Sequence, residues 1–180
     1  MIGELRMFTK EVVLEKERIA SRVRELGQAI TRDYAGKPLV LVGILNGAFI
    51  FLADLVREID LPIAIDFIRV ASYGNSTRSS GSIRFSKDLE LAVAGKNVLL
   101  VEDIVDTGRT IACLCDILVA KKAASVRICA LIDKKERREV PVAVDYAGFA
   151  IQEGFLVGYG LDCAEQHRHY PAVYKITGGI

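Results

Sequence analysis

The chain has 180 residues, 51% of them hydrophobic and 26% charged, with a formal net charge of +1. That length suits one domain, able to bury about 70% of its unfolded surface, and the composition excludes disorder. A near-neutral balance supplies no global basic field for nucleic acid or an acidic membrane.

Met1-Ile2-Gly3-Glu4-Leu5-Arg6 lacks the apolar core of a signal peptide. Residues 10–35 read as a helix: Ile19, Val23, Leu26 and Ile30 recur at helical spacing, and Gly36 with Pro38 closes it. Leu39–Leu45 is a buried strand by its Leu/Val/Ile run, Asn46-Gly47 turns the chain, and Ala48–Glu58 continues as a helix. The apolar stretch from Pro38 to Ala53 imitates a membrane span, but Asn46-Gly47 interrupts it and strand–turn–helix fits better. Ile63–Val70 is a second strand. The polar segment 72–82, rich in Ser and Gly, is a mobile loop, and Ile83–Ser86 a short returning strand.

Val98–Asp103 is a third buried strand, followed by a helix over Thr110–Lys122 with Ile111, Leu114, Cys115, Leu118 and Val119 on one face. Val126–Ile132, Val142–Phe149 and Phe155–Tyr159 complete the strands. Strands alternating with helices predict an α/β fold, a mostly parallel twisted sheet flanked by helices on both faces. Ligands of such sheets sit beyond the carboxyl ends of the strands. Four loops therefore converge there: 45–47, 72–82, 102–110 and 133–138. Cys113, Cys115, Cys129 and Cys163 form no C-x-x-C pair and have no His at metal spacing; they read as reduced core residues of a cytoplasmic protein. The mixed-sign run Lys134-Lys135-Glu136-Arg137-Arg138 reads as a solvated turn. His167 and His169 stand two apart, a spacing that does not share a helix face, and read as surface residues and not as a metal pair.

Residues 97–110, Asn97-Val98-Leu99-Leu100-Val101-Glu102-Asp103-Ile104-Val105-Asp106-Thr107-Gly108-Arg109-Thr110, carry the most chemistry. Thr107-Gly108-Arg109-Thr110 offers backbone N–H groups, hydroxyls and a helix N-terminus to a phosphate. Glu102 and Asp103 would repel that phosphate, so a ligand satisfying both bears a phosphate at one end and hydroxyls or a cation beside it. Ribose 5-phosphate with Mg²⁺ fits. Asp106, inside the loop, is open to two readings: a helix cap or Asx turn, or a general acid–base group.

This arrangement resembles the phosphoribosyl-pyrophosphate signature of the type I phosphoribosyltransferases. Residues 98–110, with Asp at 106, are similar to the loop of the hypoxanthine-guanine members. So, in order, are Leu45-Asn46-Gly47, Ser72-Tyr73-Gly74-Asn75-Ser76-Thr77, Leu131-Ile132-Asp133-Lys134, Val144-Asp145-Tyr146-Ala147-Gly148-Phe149 and Phe155-Leu156-Val157-Gly158-Tyr159-Gly160-Leu161-Asp162. The match runs over roughly residues 10–175.

The resemblance implies one phosphoribosyltransferase domain over residues 1–180. A small hood is built from the N- and C-terminal segments, and a lid over 72–82 has Ser72 and Tyr73 at its working end. It implies transfer of the 5-phosphoribosyl group from phosphoribosyl pyrophosphate to a 6-oxopurine, giving IMP or GMP and pyrophosphate, with Mg²⁺. Glu102 and Asp103 would bind the ribose hydroxyls and help hold the metal. Asp162 would serve a second Mg²⁺ through water, and Arg168 would bind pyrophosphate. Ile104, Val105, Thr107, Gly108, Arg109 and Thr110 would form the phosphate loop, Arg109 through its backbone N–H. Asp106 would handle the base proton. Lys134 would face the purine 6-oxygen, Phe155 would stack on the base, and Leu156 would offer backbone contacts. Leu45-Asn46-Gly47 would hold pyrophosphate by backbone amides, often across a non-proline cis peptide; many relatives carry Lys where Asn46 stands, so the backbone role alone carries over. A homodimer or homotetramer is expected. The alternatives are an RNA-binding regulator on the same fold, which would need a basic face, and a transferase for xanthine or another base.

Overall fold

The computed structural model describes residues 9–71 and 84–178. In chain order the elements are β1 (Thr9–Leu14), α1 (Lys16–Asp33), β2 (Leu39–Leu45), α2 (Phe49–Arg57), β3 (Ile63–Ala71) and β4 (Arg84–Lys87). Then come β5 (Asn97–Val105), α3 (Arg109–Ala120), β6 (Ser125–Lys134), β7 (Tyr146–Ile151), β8 (Phe155–Val157) and β9 (Val173–Thr177).

A six-stranded sheet has the order β4-β3-β2-β5-β6-β7, and every pairing is parallel except β3 with β4. Strand alternation divides its side chains between two layers. Leu39, Leu41, Leu99, Val101, Cys129 and Leu131 join α1 and α2 on one face. Val40, Val42, Val98, Leu100, Ile128 and Ala130 join α3 on the other. The central strands are thus buried on both faces, which is why they read as unbroken Leu/Val/Ile runs.

A second sheet of three antiparallel strands has the order β1-β9-β8. It corrects the N-terminal reading: the helix spans Lys16–Asp33, and Thr9–Leu14 pairs instead with β9, Lys10 opposite Ile176. β1 exposes most of its side chains, and its partner lies more than a hundred residues away, so no local periodicity marks either strand. Leu156, Tyr159, Leu161 and Val173 pack into the same core as α1 and α2, seating this sheet on the larger one.

Smaller corrections follow the same logic. Val119 is exposed and Cys115 half-buried, so the buried face of α3 is Ile111, Leu114 and Leu118. Residues 142–145 lie outside β7, and β8 stops at Val157. All four cysteines are free, but only Cys129 is a core residue; Cys113, Cys115 and Cys163 are half-buried. Among the described residues, no helix is long and apolar enough to cross a membrane. The 72–82 loop, with Ser72 and Tyr73, lies outside the described residues.

Asp66 is a buried charge on β3. Its Oδ1 accepts from the Phe67 amide at 2.7 Å, and its Oδ2 from the Glu90 and Leu91 amides at 2.8 Å each. Burial pushes its pKa up, but those three amides and Lys87 outweigh burial and hold it below the usual carboxylate value. A lowered folded pKa adds stability above the unfolded value, near 4, and that stability is lost as pH falls through the folded value. Asp66→Asn, which cannot accept on both sides, should cost about 2–3 kcal/mol at pH 7. Urea unfolding should show this deficit at pH 7 and a smaller one below pH ~4. A deficit independent of pH would exclude the charge as its source.

Candidate active site

The carboxyl ends of β2, β5 and β6 bring three of the four expected loops together within the described residues. β5 continues to Val105, so Glu102 and Asp103 sit within the strand and not at a solvated end, 9% and 8% exposed. The Asp103 amide donates to Glu102 Oε1 at 3.1 Å, and Asp103 Oδ1 accepts from the Ile104 amide at 2.8 Å. Burial, reinforced by the neighbouring Asp103 carboxylate, pushes the Glu102 pKa well above the usual range. Two adjacent buried acids of this kind fit a hard, oxygen-seeking divalent cation.

Asp103 also reaches across to β2. A Cβ at Gly47 would overlap its carboxylate, and a Cβ at Gly160 would overlap the Gly47 carbonyl. Glycine at both positions lets the acidic pair, the 45–47 loop and the loop after β8 meet backbone to side chain. The Leu45–Asn46 peptide bond is cis.

After Val105 the chain turns through Asp106 and Thr107 into Gly108, whose φ of +82° suits glycine, and enters α3 at Arg109. Thr107 Oγ1 accepts from the Arg109 amide at 3.4 Å. The helix start has no side-chain cap, so Asp106 is not the cap that one reading allowed. Asp106 Oδ2 lies 3.5 Å from Arg137 Nη1. Among the described residues its buried Oδ1 has no hydrogen-bond partner, and the residue lines a cavity of about 180 Å³ together with Glu102, Val105, Thr107, Gly108 and Thr110. A buried carboxylate oxygen without a partner is costly, and the carboxyl that carries it stands in the wall of that cavity. The Arg109 side chain turns to an exposed ion pair with Glu139, leaving its backbone for the loop.

The reading of 134–138 as a solvated turn is wrong at two positions. Lys134 is 6% exposed; its Nζ donates to Gly154 O at 3.1 Å and meets Glu136 Oε2 at 3.1 Å. Arg138 is half-buried and bonded to both neighbouring loops. A charge run that begins at the carboxyl end of a parallel strand points at the site, and that position was the available signal. Phe155 is 43% exposed, with Leu156 buried beside it.

Asp162 is not at a strand end, since four residues separate it from Val157. The loop between is held by Tyr159 and Gly160, whose amides donate to Tyr170 O at 2.8 Å and Arg168 O at 3.0 Å. The Tyr159 hydroxyl donates to Asp54 Oδ2 at 2.6 Å, tying the loop to α2. Arg168 donates to Gly160 O at 2.7 Å and pairs with Asp162 Oδ1 at 2.8 Å, while Asp162 Oδ2 accepts from the Glu165 amide. His167 Nδ1 lies 3.0 Å from the Tyr170 hydroxyl, and His169 is exposed, its ring edge-on to Tyr170. Among the described residues, no group of three or more His, Cys, Asp or Glu side chains is placed to hold a metal alone.

A mostly parallel sheet in which β5 carries two buried acids near its carboxyl end and leads through an αL glycine into a helix N-terminus is the arrangement of a phosphoribosyl transferase domain. Residues 10–164 match that domain family. The hypoxanthine-guanine phosphoribosyltransferase of Aquifex aeolicus is 46% identical over 174 residues, covering 96% of this chain and 98% of the relative. The hypoxanthine phosphoribosyltransferase of Salmonella typhimurium is 44% identical over 171 residues, 94% of this chain and 96% of the relative. A crystal structure of a hypoxanthine phosphoribosyltransferase from Staphylococcus aureus superposes with a TM-score of 0.89 at 41% identity, covering 93% of this chain and 91% of that one. The chain belongs to the type I phosphoribosyltransferases, in their hypoxanthine-guanine branch. Nothing among these relatives supports the RNA-binding regulator, or a transferase for xanthine or another base.

Proposed function

We propose that the protein transfers the 5-phosphoribosyl group of phosphoribosyl pyrophosphate to hypoxanthine or guanine, giving IMP or GMP and pyrophosphate in purine salvage. The observation that carries this reading is the Asp106 carboxyl in the wall of the loop cavity, on the segment that follows β5, with the buried, donor-only Lys134 at the end of the paired strand β6. Transfer to a purine ring nitrogen releases a ring proton as the new C–N bond forms, and Asp106 takes it. The Lys134 ammonium has two donors engaged by Gly154 and Glu136, leaving the third for a 6-oxygen. A 6-amino group would leave that donor unpaired, so adenine is rejected.

Phe155, exposed at the sheet edge, stacks on the base, and the Leu156 backbone contacts it. Ile104, Val105 and Thr107–Thr110 cradle the 5′-phosphate, chiefly by backbone N–H groups and the α3 N-terminus. Leu45, Asn46 and Gly47 hold pyrophosphate by their backbone, with Arg168. Glu102 and Asp103 bind the ribose hydroxyls and hold Mg²⁺, which, when bound, neutralises charge on the departing pyrophosphate. Mg²⁺ commonly takes one or two carboxylates together with substrate oxygens and water, which matches this two-acid donor set. Asp162, its oxygens engaged by Arg168 and Glu165, acts on a second Mg²⁺ only through water. The protein works in the cytoplasm, as a homodimer or homotetramer.

Initial rates on hypoxanthine, guanine, xanthine and adenine with phosphoribosyl pyrophosphate and Mg²⁺ test the reading. Nucleotide should form from hypoxanthine, guanine or both, and none from adenine. Retention on RNA at low salt without purine-dependent release of pyrophosphate would overturn it.

A further inference from the structure

The segment 133–140 lies across the phosphate loop. The Glu139 and Val140 amides donate to Thr107 O at 2.9 and 3.0 Å. Arg138 threads between the two loops: Nε donates to Asp106 O at 2.9 Å, and Nη2 to Val105 O at 2.9 Å and Lys134 O at 3.1 Å. Nη2 also meets Asp133 Oδ1 at 2.6 Å, and Nη1 donates to Val142 O at 3.3 Å. The guanidinium therefore holds the backbone of Asp106 and of Lys134 at once, and it touches neither of their functional side-chain atoms.

We propose that Arg138 is a positioning residue for base recognition: its planar fork sets the Lys134 backbone against the Asp106 backbone, so that the 6-oxygen donor and the ring-proton acceptor lie at the separation one purine ring requires. The inference rests on the function proposed above. Charge alone would not do this. An ammonium is a point donor on a flexible stem and cannot serve carbonyls on both loops and Asp133 in one plane. Asp133 completes the device from β6, fixing the guanidinium's orientation before any ligand arrives.

The test is a double-mutant cycle on Arg138→Lys and Lys134→Met, read by steady-state kinetics and thermal unfolding. In Arg138→Lys, KM for hypoxanthine should rise roughly tenfold, as for loss of one or two net hydrogen bonds, while KM for phosphoribosyl pyrophosphate stays within about threefold. In the Lys134→Met background the same change should add almost nothing to KM for hypoxanthine, because Arg138 acts through Lys134. Asp133→Asn keeps the carbonyl acceptors and should raise KM for hypoxanthine by about threefold, which decides the matter should Arg138→Lys not fold. The proposal is overturned by a melting temperature that falls while both KM values hold, by both KM values rising together, or by additive effects in the cycle. A wild-type protein that does not use hypoxanthine removes the functional reading and this inference with it; a wild-type enzyme with an indifferent Arg138 removes the inference alone.

Discussion

Asp106→Asn should lower kcat with hypoxanthine at neutral pH by about 10²–10³-fold, within the range positioned acid–base groups supply. The substitution is nearly isosteric and leaves the backbone carbonyl that Arg138 grips. It removes the capacity to take a proton and an ion pair with the exposed Arg137, a surface pair worth little. KM for phosphoribosyl pyrophosphate should change little, since the proposed phosphate contacts are backbone amides that the substitution leaves in place. Stability should hold within about 1 kcal/mol, because only an exposed ion pair with Arg137 is lost and Oδ1 has no partner among the described residues. Loss at the chemical step with binding preserved is the pattern of an interaction made in the transition state. An unchanged kcat would take Asp106 out of the mechanism and return it to a loop-forming role.

What could be read in advance divides by physical cause. β2, β5 and β6 are buried on both faces, so their apolar runs announce them, and the loops at their carboxyl ends follow from topology. β1 and β9 pair over a long sequence separation with mostly exposed or half-buried side chains, and a helical periodicity beginning at Ile19 extended backward over β1. The acidic pair and the phosphate loop are contiguous in sequence, so their chemistry was visible there. Arg138 was not, because what makes it matter is two backbone carbonyls on another strand and loop, bridged to that of Lys134, which no pattern of residue types records. The same holds for Gly47 and Gly160, whose need for a missing Cβ arises only when three loops meet.

Lys134→Met should raise KM for hypoxanthine by about 10–150-fold, the range for a hydrogen bond to a charged group. Methionine matches the apolar stem in length and flexibility, so the buried part of the side chain is replaced and the ammonium alone is lost. The partners left behind do not obscure the result. Glu136 is half exposed and resolvates, and Gly154 O loses one donor on a turn at the surface. The more telling measurement is the ratio of hypoxanthine to adenine use. On the proposed reading, wild-type discrimination comes from the cost of an unpaired buried ammonium facing a 6-amino group, and methionine imposes no such cost. The ratio should therefore collapse from both ends, with hypoxanthine used less well and adenine less firmly refused. A variant that still refuses adenine while binding hypoxanthine normally would show that the 6-position is read elsewhere, and the backbone around Phe155 and Leu156 would then be the place to look.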